Sequence, residues 1–192
     1  MPPIIKVQRD DIINKAFEVL KTEGIDSINA RYLAKKLNCS VQPIFSNFKN
    51  MDDLKLCILK KAEEYFYNFI ASLFDDSIPK YKQVGINYIK FAKEEPILFE
   101  ILFLDKNNLD KTLLESETES FKMIKSFISS STKIEDVNDF HFQMWIFTHG
   151  LACLLVSNNY NLSDDDISNL LSKQFKALIY LNNGKDNGKE EI

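Results

Sequence analysis

Residues 29–48, NARYLAKKLNCSVQPIFSNF, constrain the fold of this chain more than any other stretch, because they predict two short helices joined by a tight turn. Asn29 can cap the first helix, since its side-chain oxygen can accept a free backbone N–H. Asn38 suits the turn, because asparagine tolerates the left-handed conformation that a sharp interhelix turn needs. Ser40 is expected to cap the second helix, with Pro43 in its first turn, where a missing N–H costs little.

The second of these helices is expected to have two faces of different character. Ile44, Phe45 and Phe48 can pack inward. The outward face carries short, uncharged or amide side chains, which suit a surface that fits a DNA groove and touches base edges. These side chains are Val41, Gln42, Ser46 and Asn47. On pattern alone, the stretch also fits any small helical bundle that contains a helix, a turn and a helix.

Residues 9–56 resemble the DNA-binding domain of the TetR family of one-component regulators. The resemblance is carried by DDII, INARYLAKKLNCS and QPIFSNFKNMDDL, with RDDIINKAFEVLKTEG as a leading helix that braces the next two. It implies that residues 1–50 are a three-helix, helix-turn-helix domain that binds a double-stranded DNA operator. The residues expected to contact DNA are Asn29, Arg31, Ser40, Val41, Gln42, Phe45, Ser46, Asn47 and Lys49.

Three residues depart from the family pattern. Phe45 stands where the family usually has a Tyr whose hydroxyl reaches a phosphate, and Met51 stands where it usually has a Lys. Asn38 replaces the usual turn glycine. The first two changes are expected to weaken the sequence-independent part of the DNA affinity, unless Lys49, Lys55 or a helix N-terminus compensates.

The distribution of charge fits DNA binding by one end of the chain. The net charge is −4, but residues 1–50 hold eight Lys or Arg against five Asp or Glu (+3), and the remaining 142 hold 16 against 23 (−7). A basic segment over residues 1–50 (the head) followed by an acidic remainder (the body) favours an approach to the phosphate backbone with the head first. No stretch of about 18 apolar residues and no signal peptide is recognisable, so we expect a cytoplasmic protein without a membrane partner.

With 45% of its 192 residues hydrophobic, the chain is long enough for one or two cores. The expected fold class is all-α, because only five residues are Gly and five Pro, and no run alternates as a strand would. Periodicity predicts about nine helices. Beyond the three of the head, these are a fourth of about 23 residues from Met51, a fifth over 79–94, a sixth from Pro96, a seventh over 109–129, an eighth over 137–157 and a ninth from Ser163. Residues 51–182 are expected to form a helical bundle for ligand binding and dimerisation, and residues 183–192 a disordered tail.

The predicted eighth helix is apolar nearly all round, so it must be covered on two sides. In TetR-like proteins the last two helices pair with those of a second copy, and the resemblance therefore implies a homodimer. A two-fold dimer sets two recognition helices about 34 to 36 Å apart, which matches successive major grooves of a palindromic operator. A monomer with a thick core is the alternative.

A second resemblance concerns the body. The segment MWIFTHGLACLL resembles the Trp-x-x-x-His-Gly (WHG) signature of one C-terminal class within this family, through Trp145, His149 and Gly150, and FAKEEPILFEILF resembles that class's earlier helix pair. The family resemblance implies a small-molecule effector, expected to be apolar or amphipathic. The alternative is that the aromatic residues only fill a core. The expected ligand-binding residues are Tyr65, Phe66, Phe69, Tyr88, Phe91, Phe99, Phe103, Phe121, Trp145 and His149.

Catalysis, a cofactor and a metal site are not expected. His141 and His149 lie eight residues apart on one predicted helix without a triad or a glycine-rich phosphate loop. The three cysteines are too scattered for a metal site or a disulfide framework, and we expect buried structural thiols. The sequence thus predicts a ligand-responsive transcriptional regulator, expected to be a repressor that its effector releases from DNA by changing the setting of the fourth helix. An activator and an architectural or cell-division DNA-binding protein are the alternatives.

Overall fold

The structure is a computed structural model that describes residues 7–105, 119–157 and 160–183. Within these ranges it contains nine α-helices, one short 3-10 helix and no β-strand, which confirms the predicted all-α fold. The helices are α1 (Arg9–Glu23), α2 (Ala30–Lys36), α3 (Gln42–Asn47), α4 (Met51–Ser72), α5 (Lys80–Glu94), α6 (Pro96–Phe103), α7 (Glu119–Ser131), α8 (Val137–Val156) and α9 (Asp164–Asn183). The first part of the predicted seventh helix and residues 184–192 of the predicted tail lie outside the described residues.

The chain packs as two compact units. The first unit contains α1 to α3, α4 as far as Asn68, and α6. The second unit contains the end of α4 from Phe69, together with α5, α7, α8 and α9. Since α4 is one continuous helix, it contributes residues to both units. The functional boundary expected at residue 50 stays a prediction.

The core of the first unit is built on α1. Ile12, Ala16 and Leu20 are fully buried and follow one another at intervals of four, so they form one apolar stripe. Leu33 of α2 and Ile44 of α3 are also fully buried. The leading helix packs against both of them and against α6. This packing fixes the positions of the two short helices, which would not be stable alone.

Both ends of α2 have the geometry that their asparagines predict. The Oδ1 atom of Asn29 accepts the backbone N–H of Tyr32 at 2.9 Å, which caps α2. Asn38 has a φ of 52°, and it is the one non-glycine residue with positive φ among those described. A left-handed asparagine therefore ends α2 and turns the chain toward α3.

The predicted start of α3 is wrong by about one residue. Its N-cap is Val41, which makes no side-chain capping bond, so Ser40 does not cap the helix. Pro43 does lie in the first turn, as expected. At the other end of the next loop, Asn50 Oδ1 accepts the backbone N–H of Asp53 at 2.9 Å and so begins α4.

The second unit is organised around the packing of α5 on α8, with α7 and α9 alongside. Its apolar core draws on all four helices. The buried members of that core are Tyr81, Ile128, Phe140, Met144 and Leu178. No helix in the described ranges combines the length and the apolar character that crossing a bilayer requires.

Two tyrosine–histidine hydrogen bonds join α5 to α8. The Tyr81 hydroxyl lies 3.1 Å from Nδ1 of His141, and both side chains are buried. Burial lowers the pKa of His141 to about 4, so the imidazole is neutral near pH 7. Two turns further along α5, the Tyr88 hydroxyl lies 2.9 Å from Nδ1 of His149. These bonds satisfy polar groups that the apolar contact between the helices would otherwise leave unpaired.

Candidate functional site

The outward face of α3 carries an unusual pair of apolar side chains. Val41 is 39% exposed and Phe45 is 54% exposed, while Gln42 and Ser46 beside them are also exposed. The prediction that Phe45 packs inward is therefore wrong. The buried positions of this helix segment are Ile44 and Phe48, four residues apart, and Phe45 lies about 100° round the helix from Ile44.

Two of the polar side chains of α3 bond to their own helix. The Ser46 hydroxyl donates to the Gln42 carbonyl at 2.9 Å, and the Asn47 amide donates to the Pro43 carbonyl at 2.8 Å. Asn47 is half-buried, unlike the residues that precede it. The outward face therefore offers fewer free donors than its sequence suggests.

Exposed basic side chains lie on the elements that precede and follow α3 in the chain. Arg31 and Lys35 are exposed on α2, and Lys49 is exposed in the loop that leads to α4. Of the nine residues predicted to contact DNA, eight are exposed and Asn47 is half-buried. The exposed members between Ser40 and Lys49 thus follow one another in a single segment, and the preceding helix α2 carries exposed Arg31 and Lys35.

A polar brace ties the end of α1 to α2. The Tyr32 hydroxyl donates to the Glu23 carboxylate at 2.8 Å, and Lys36 Nζ lies 3.3 Å from the same group. Both partners lower the pKa of Glu23, with the tyrosine hydrogen bond as the larger cause. One of the basic side chains of α2 is therefore partly neutralised, while Arg31 and Lys35 are not part of the brace.

Arg9 is a positioning residue that the sequence analysis missed. Its guanidinium donates to the Asn47 carbonyl at 2.9 Å and to Cys57 Sγ at 3.0 Å, and it lies 4.2 Å from the centroid of the Phe48 ring. A cation at the C-terminus of α3 interacts favourably with the helix dipole. The sequence contained one indication of this role. Arg9 lies in the first turn of α1, where a positive charge is unfavourable, and this suggests that its guanidinium has a partner elsewhere.

A second cluster in the first unit joins α1, α4 and the start of α6. Lys21 Nζ lies 2.6 Å from Glu95 Oε1 and 2.8 Å from the Tyr65 hydroxyl, which itself donates to Glu95 at 2.6 Å. Burial opposes the charge on Lys21, but hydrogen bonds to Glu95 and Tyr65 outweigh it and raise the pKa of Lys21. Tyr65, predicted to bind a ligand, is thus engaged in a polar cluster.

The predicted ligand-binding residues are divided between the two units. Phe66 and Phe103 belong to the first unit, where their rings pack edge to face at 5.0 Å. Phe69 and Phe91 belong to the second, where their rings pack edge to face at 5.3 Å. Tyr65 and Phe99 also belong to the first unit, and Tyr88, Trp145 and His149 belong to the second. The side chain of Phe121 lies outside the described residues.

The second unit brings together four side chains that can hydrogen-bond or stack, one on α5 and three on α8. They are Tyr88, Trp145, His149 and Cys153. His149 is held at Nδ1 by Tyr88, stacks on Trp145 with ring centroids 4.8 Å apart, and has Nε2 at 3.5 Å from Cys153 Sγ. Partial burial lowers the pKa of His149. The Trp145 indole nitrogen is buried and has no partner of hydrogen-bond geometry within the described residues, although it interacts with the Tyr88 hydroxyl electrostatically.

The three cysteines are free thiols, and each is half-buried rather than buried as predicted. Cys57 accepts from Arg9 and Cys153 lies beside His149, so two of them have polar contacts. In the part of the chain that the structure describes, no three His, Cys, Asp or Glu side chains are grouped to hold a metal ion.

Comparison with known proteins places these features in context. The chain matches no protein-family profile. It is 22% identical over 149 residues to "HTH-type transcriptional repressor Rv1353c" of Mycobacterium tuberculosis and to "Uncharacterized HTH-type transcriptional regulator Mb1388c" of Mycobacterium bovis. Each match covers 77% of this chain and 57% of the relative, so the chain spans little more than half the length of these curated relatives.

Solved structures share the fold over most of the chain. A TetR-family transcriptional regulator from Haemophilus influenzae RD has a TM-score of 0.63 at 16% identity, covering 88% of this chain and 94% of that one. A TetR-like regulator from Rhodococcus sp. RHA1 has a TM-score of 0.62 at 14% identity, covering 96% and 98%. The multidrug binding protein EbrR, complexed with ethidium, has a TM-score of 0.59 at 16% identity, covering 91% and 99%. The chain therefore has the fold of TetR-family regulators.

Proposed function

We propose that this chain, which shares its fold with TetR-family transcriptional regulators, is itself a transcriptional repressor. In this proposal it binds a palindromic DNA operator as a homodimer and is released by a small effector. The observation that carries the proposal is the exposed outward face of α3, a helix held by packing on α1, together with the exposed Arg31 and Lys35 of α2 and Lys49 after α3. A short helix presented in this way fits the major groove, while the lysines and the arginine suit phosphates.

Two substitutions separate base contact from phosphate contact. Gln42→Ala is expected to relax sequence preference, because an amide can pair with one base in two places. Lys49→Ala is expected to weaken binding about equally on all sequences and to flatten the salt dependence by roughly one unit. Both effects are measured by titrating the purified chain with labelled duplexes at several salt concentrations.

The proposal fails if neither variant changes DNA binding, or if the wild-type chain binds no duplex selectively. Footprinting on genomic DNA distinguishes the architectural alternative. A regulator is expected to protect one or a few palindromic sites, whereas an architectural protein would protect many. A transcription assay on the protected promoter then separates repression from activation.

The proposed dimer uses an exposed strip on α8. Phe142, Ile146 and Leu154 are 45%, 50% and 45% exposed, and with Gly150 they repeat at intervals of four residues. A Cβ atom added at Gly150 would meet nothing within 4 Å in the single chain, so this glycine leaves room at the middle of the strip. Apolar residues at this spacing on a helix suit pairing with a second copy about a two-fold axis.

The proposed effector site lies around Tyr88, Trp145 and His149 in the second unit. These side chains combine stacked rings with a hydroxyl, an imidazole and an indole N–H, and such sites bind ligands that are mainly apolar with a few polar points. The multidrug binding protein that shares this fold was crystallised with ethidium, a flat aromatic cation. Ethidium is therefore a suitable first probe.

Trp145 is the only tryptophan in the sequence, so its fluorescence reports on this site. Ethidium at micromolar concentration is expected to quench it, and Trp145 quenching should be weaker in a His149→Ala variant. In this proposal, effector binding changes the setting of α4, with a coupling free energy of about 1 to 3 kcal/mol. If ethidium and other flat aromatic compounds neither quench Trp145 nor release DNA, the proposed effector site is wrong.

A further inference from the structure

The outward face of α3 is more apolar than a face that reads DNA by hydrogen bonds alone would be. Val41 and Phe45 are four residues apart, so their side chains are neighbours one turn apart on the same face. They are 39% and 54% exposed, although the same short helix buries Ile44 completely. The apolar face therefore remains accessible to a partner.

Of the polar side chains Gln42, Ser46 and Asn47, only that of Gln42 is not hydrogen-bonded to α3 itself. Ser46 and Asn47 donate to backbone carbonyls of α3 itself. The Gln42 side chain is exposed, and it makes no hydrogen bond among the described residues. The outward face thus presents the Gln42 amide beside the two apolar side chains.

An amide beside apolar side chains matches an A·T pair better than a G·C pair. In the major groove, thymine alone presents a methyl group, and adenine presents the acceptor and donor that a glutamine amide pairs with. We propose that Phe45, with Val41, contacts thymine 5-methyl groups in the operator, beside an adenine that Gln42 reads. The inference rests on the proposed operator binding and specifies which base pairs the site prefers.

A phosphate contact explains Phe45 less well. A phenyl ring has no donor for a phosphate oxygen, and the exposed basic side chains of the head already supply charged donors. Burying the ring against a methyl group removes apolar area of both partners from water, which is favourable. Packing of the ring on the deoxyribose of the backbone is the competing arrangement, and it would be insensitive to the base.

Removal of single methyl groups from DNA tests the inference. A duplex selected from a random library with the purified full chain is resynthesised with each thymine replaced in turn by deoxyuridine, which lacks only the 5-methyl group. At one or two positions in each half-site, the substitution is expected to weaken wild-type binding about fourfold per methyl, at fixed salt. Phe45→Ala is expected to bind the thymine and deoxyuridine duplexes equally.

Two matched variants control this experiment. Lys49→Ala should weaken binding to both duplexes and preserve the fourfold ratio, whereas Phe45→Leu should retain part of the ratio because it keeps an apolar side chain. Unchanged helical circular dichroism shows that each variant is folded. The inference is overturned if the wild-type chain does not distinguish the two duplexes, or if the fourfold ratio survives in Phe45→Ala. Failure to bind any duplex would instead overturn the proposed function, and the inference with it.

Discussion

At the scale of single residues, Asn38 shows how one side chain sets a turn. Its φ of 52° is in the left-handed region, where a Cβ atom is unfavourable and asparagine is tolerated. Asn38→Ala is expected to lower the free energy of unfolding by about 1 kcal/mol, and Asn38→Gly is expected to change it by less than about 0.5 kcal/mol. Urea denaturation measures both, and equal losses in the two variants would contradict this account of the turn.

Arg9 is expected to contribute more to the stability of the first unit than its place at the start of α1 suggests. Arg9→Ala removes the bonds to the Asn47 carbonyl and Cys57 and the contact with Phe48, so we expect the first unit to lose about 2 kcal/mol of stability. Lys15→Ala is the matched control, because Lys15 makes only an exposed ion pair within α1, worth less than about 0.5 kcal/mol. If the two variants have the same urea midpoint, Arg9 does not position α3.

These residues also show what the sequence could and could not predict. The Asn29 cap and the Asn38 turn were predictable, since both residues act on atoms within three residues of themselves. The Ser40 cap was not, because α3 begins one residue later than expected. The inward placement of Phe45 was wrong, because a helix of six residues is too short for apolar spacing to fix its orientation. Arg9 was missed because its partners lie 38 and 48 residues away in the chain.

At the scale of elements, the contact between α5 and α8 contains a group sensitive to pH. Burial lowers the pKa of His141 to about 4 from 6.5, so the unfolded chain binds a proton more readily than the folded one between these values. The stability contribution of the neutral imidazole is therefore complete above about pH 6.5 and is lost as the pH falls toward 4. Between pH 7.5 and pH 5, the loss is expected to be about 2 kcal/mol.

A substitution isolates this effect. His141→Asn keeps a partner for the Tyr81 hydroxyl but cannot be protonated, so we expect its stability to depend on pH less steeply than that of the wild type by about the same 2 kcal/mol. His149→Asn is the comparison, since His149 is only half-buried and a smaller change is expected. Urea midpoints at the two pH values provide the measurement, and an unchanged dependence in His141→Asn would show that other groups dominate.

The elements also separate what periodicity predicts from what it does not. Apolar spacing predicted the fourth helix at about 23 residues, and α4 has 22. It did not predict the Tyr81–His141 and Tyr88–His149 bonds, because α5 and α8 are joined by residues about 60 apart in sequence. Periodicity also did not show that the aromatic residues assigned to one ligand pocket lie in two units, because it reports on each helix separately and not on which helices pack together.

At the scale of the whole molecule, the proposed dimer is the feature that would let the chain bind a palindromic operator. Ile146→Glu places a charge at the centre of the apolar strip on α8 and is expected to raise the dissociation constant of the dimer roughly tenfold or more. Met123→Glu on α7 is the control, because Met123 is 41% exposed outside that strip. Sedimentation equilibrium measures both. A dimer that tolerates Ile146→Glu but not Met123→Glu would move the interface to another face.

The most direct test of the account is selection of bound duplexes from a random DNA library by the purified chain, followed by sequencing. A dimeric regulator of this fold is expected to enrich two inverted half-sites whose centres lie about 10 base pairs apart or a multiple of it, rich in A·T pairs where Gln42 and Phe45 contact the groove. Enrichment of no motif, or of a single half-site without its inverted repeat, would contradict the claim that this chain is a dimeric, operator-binding regulator.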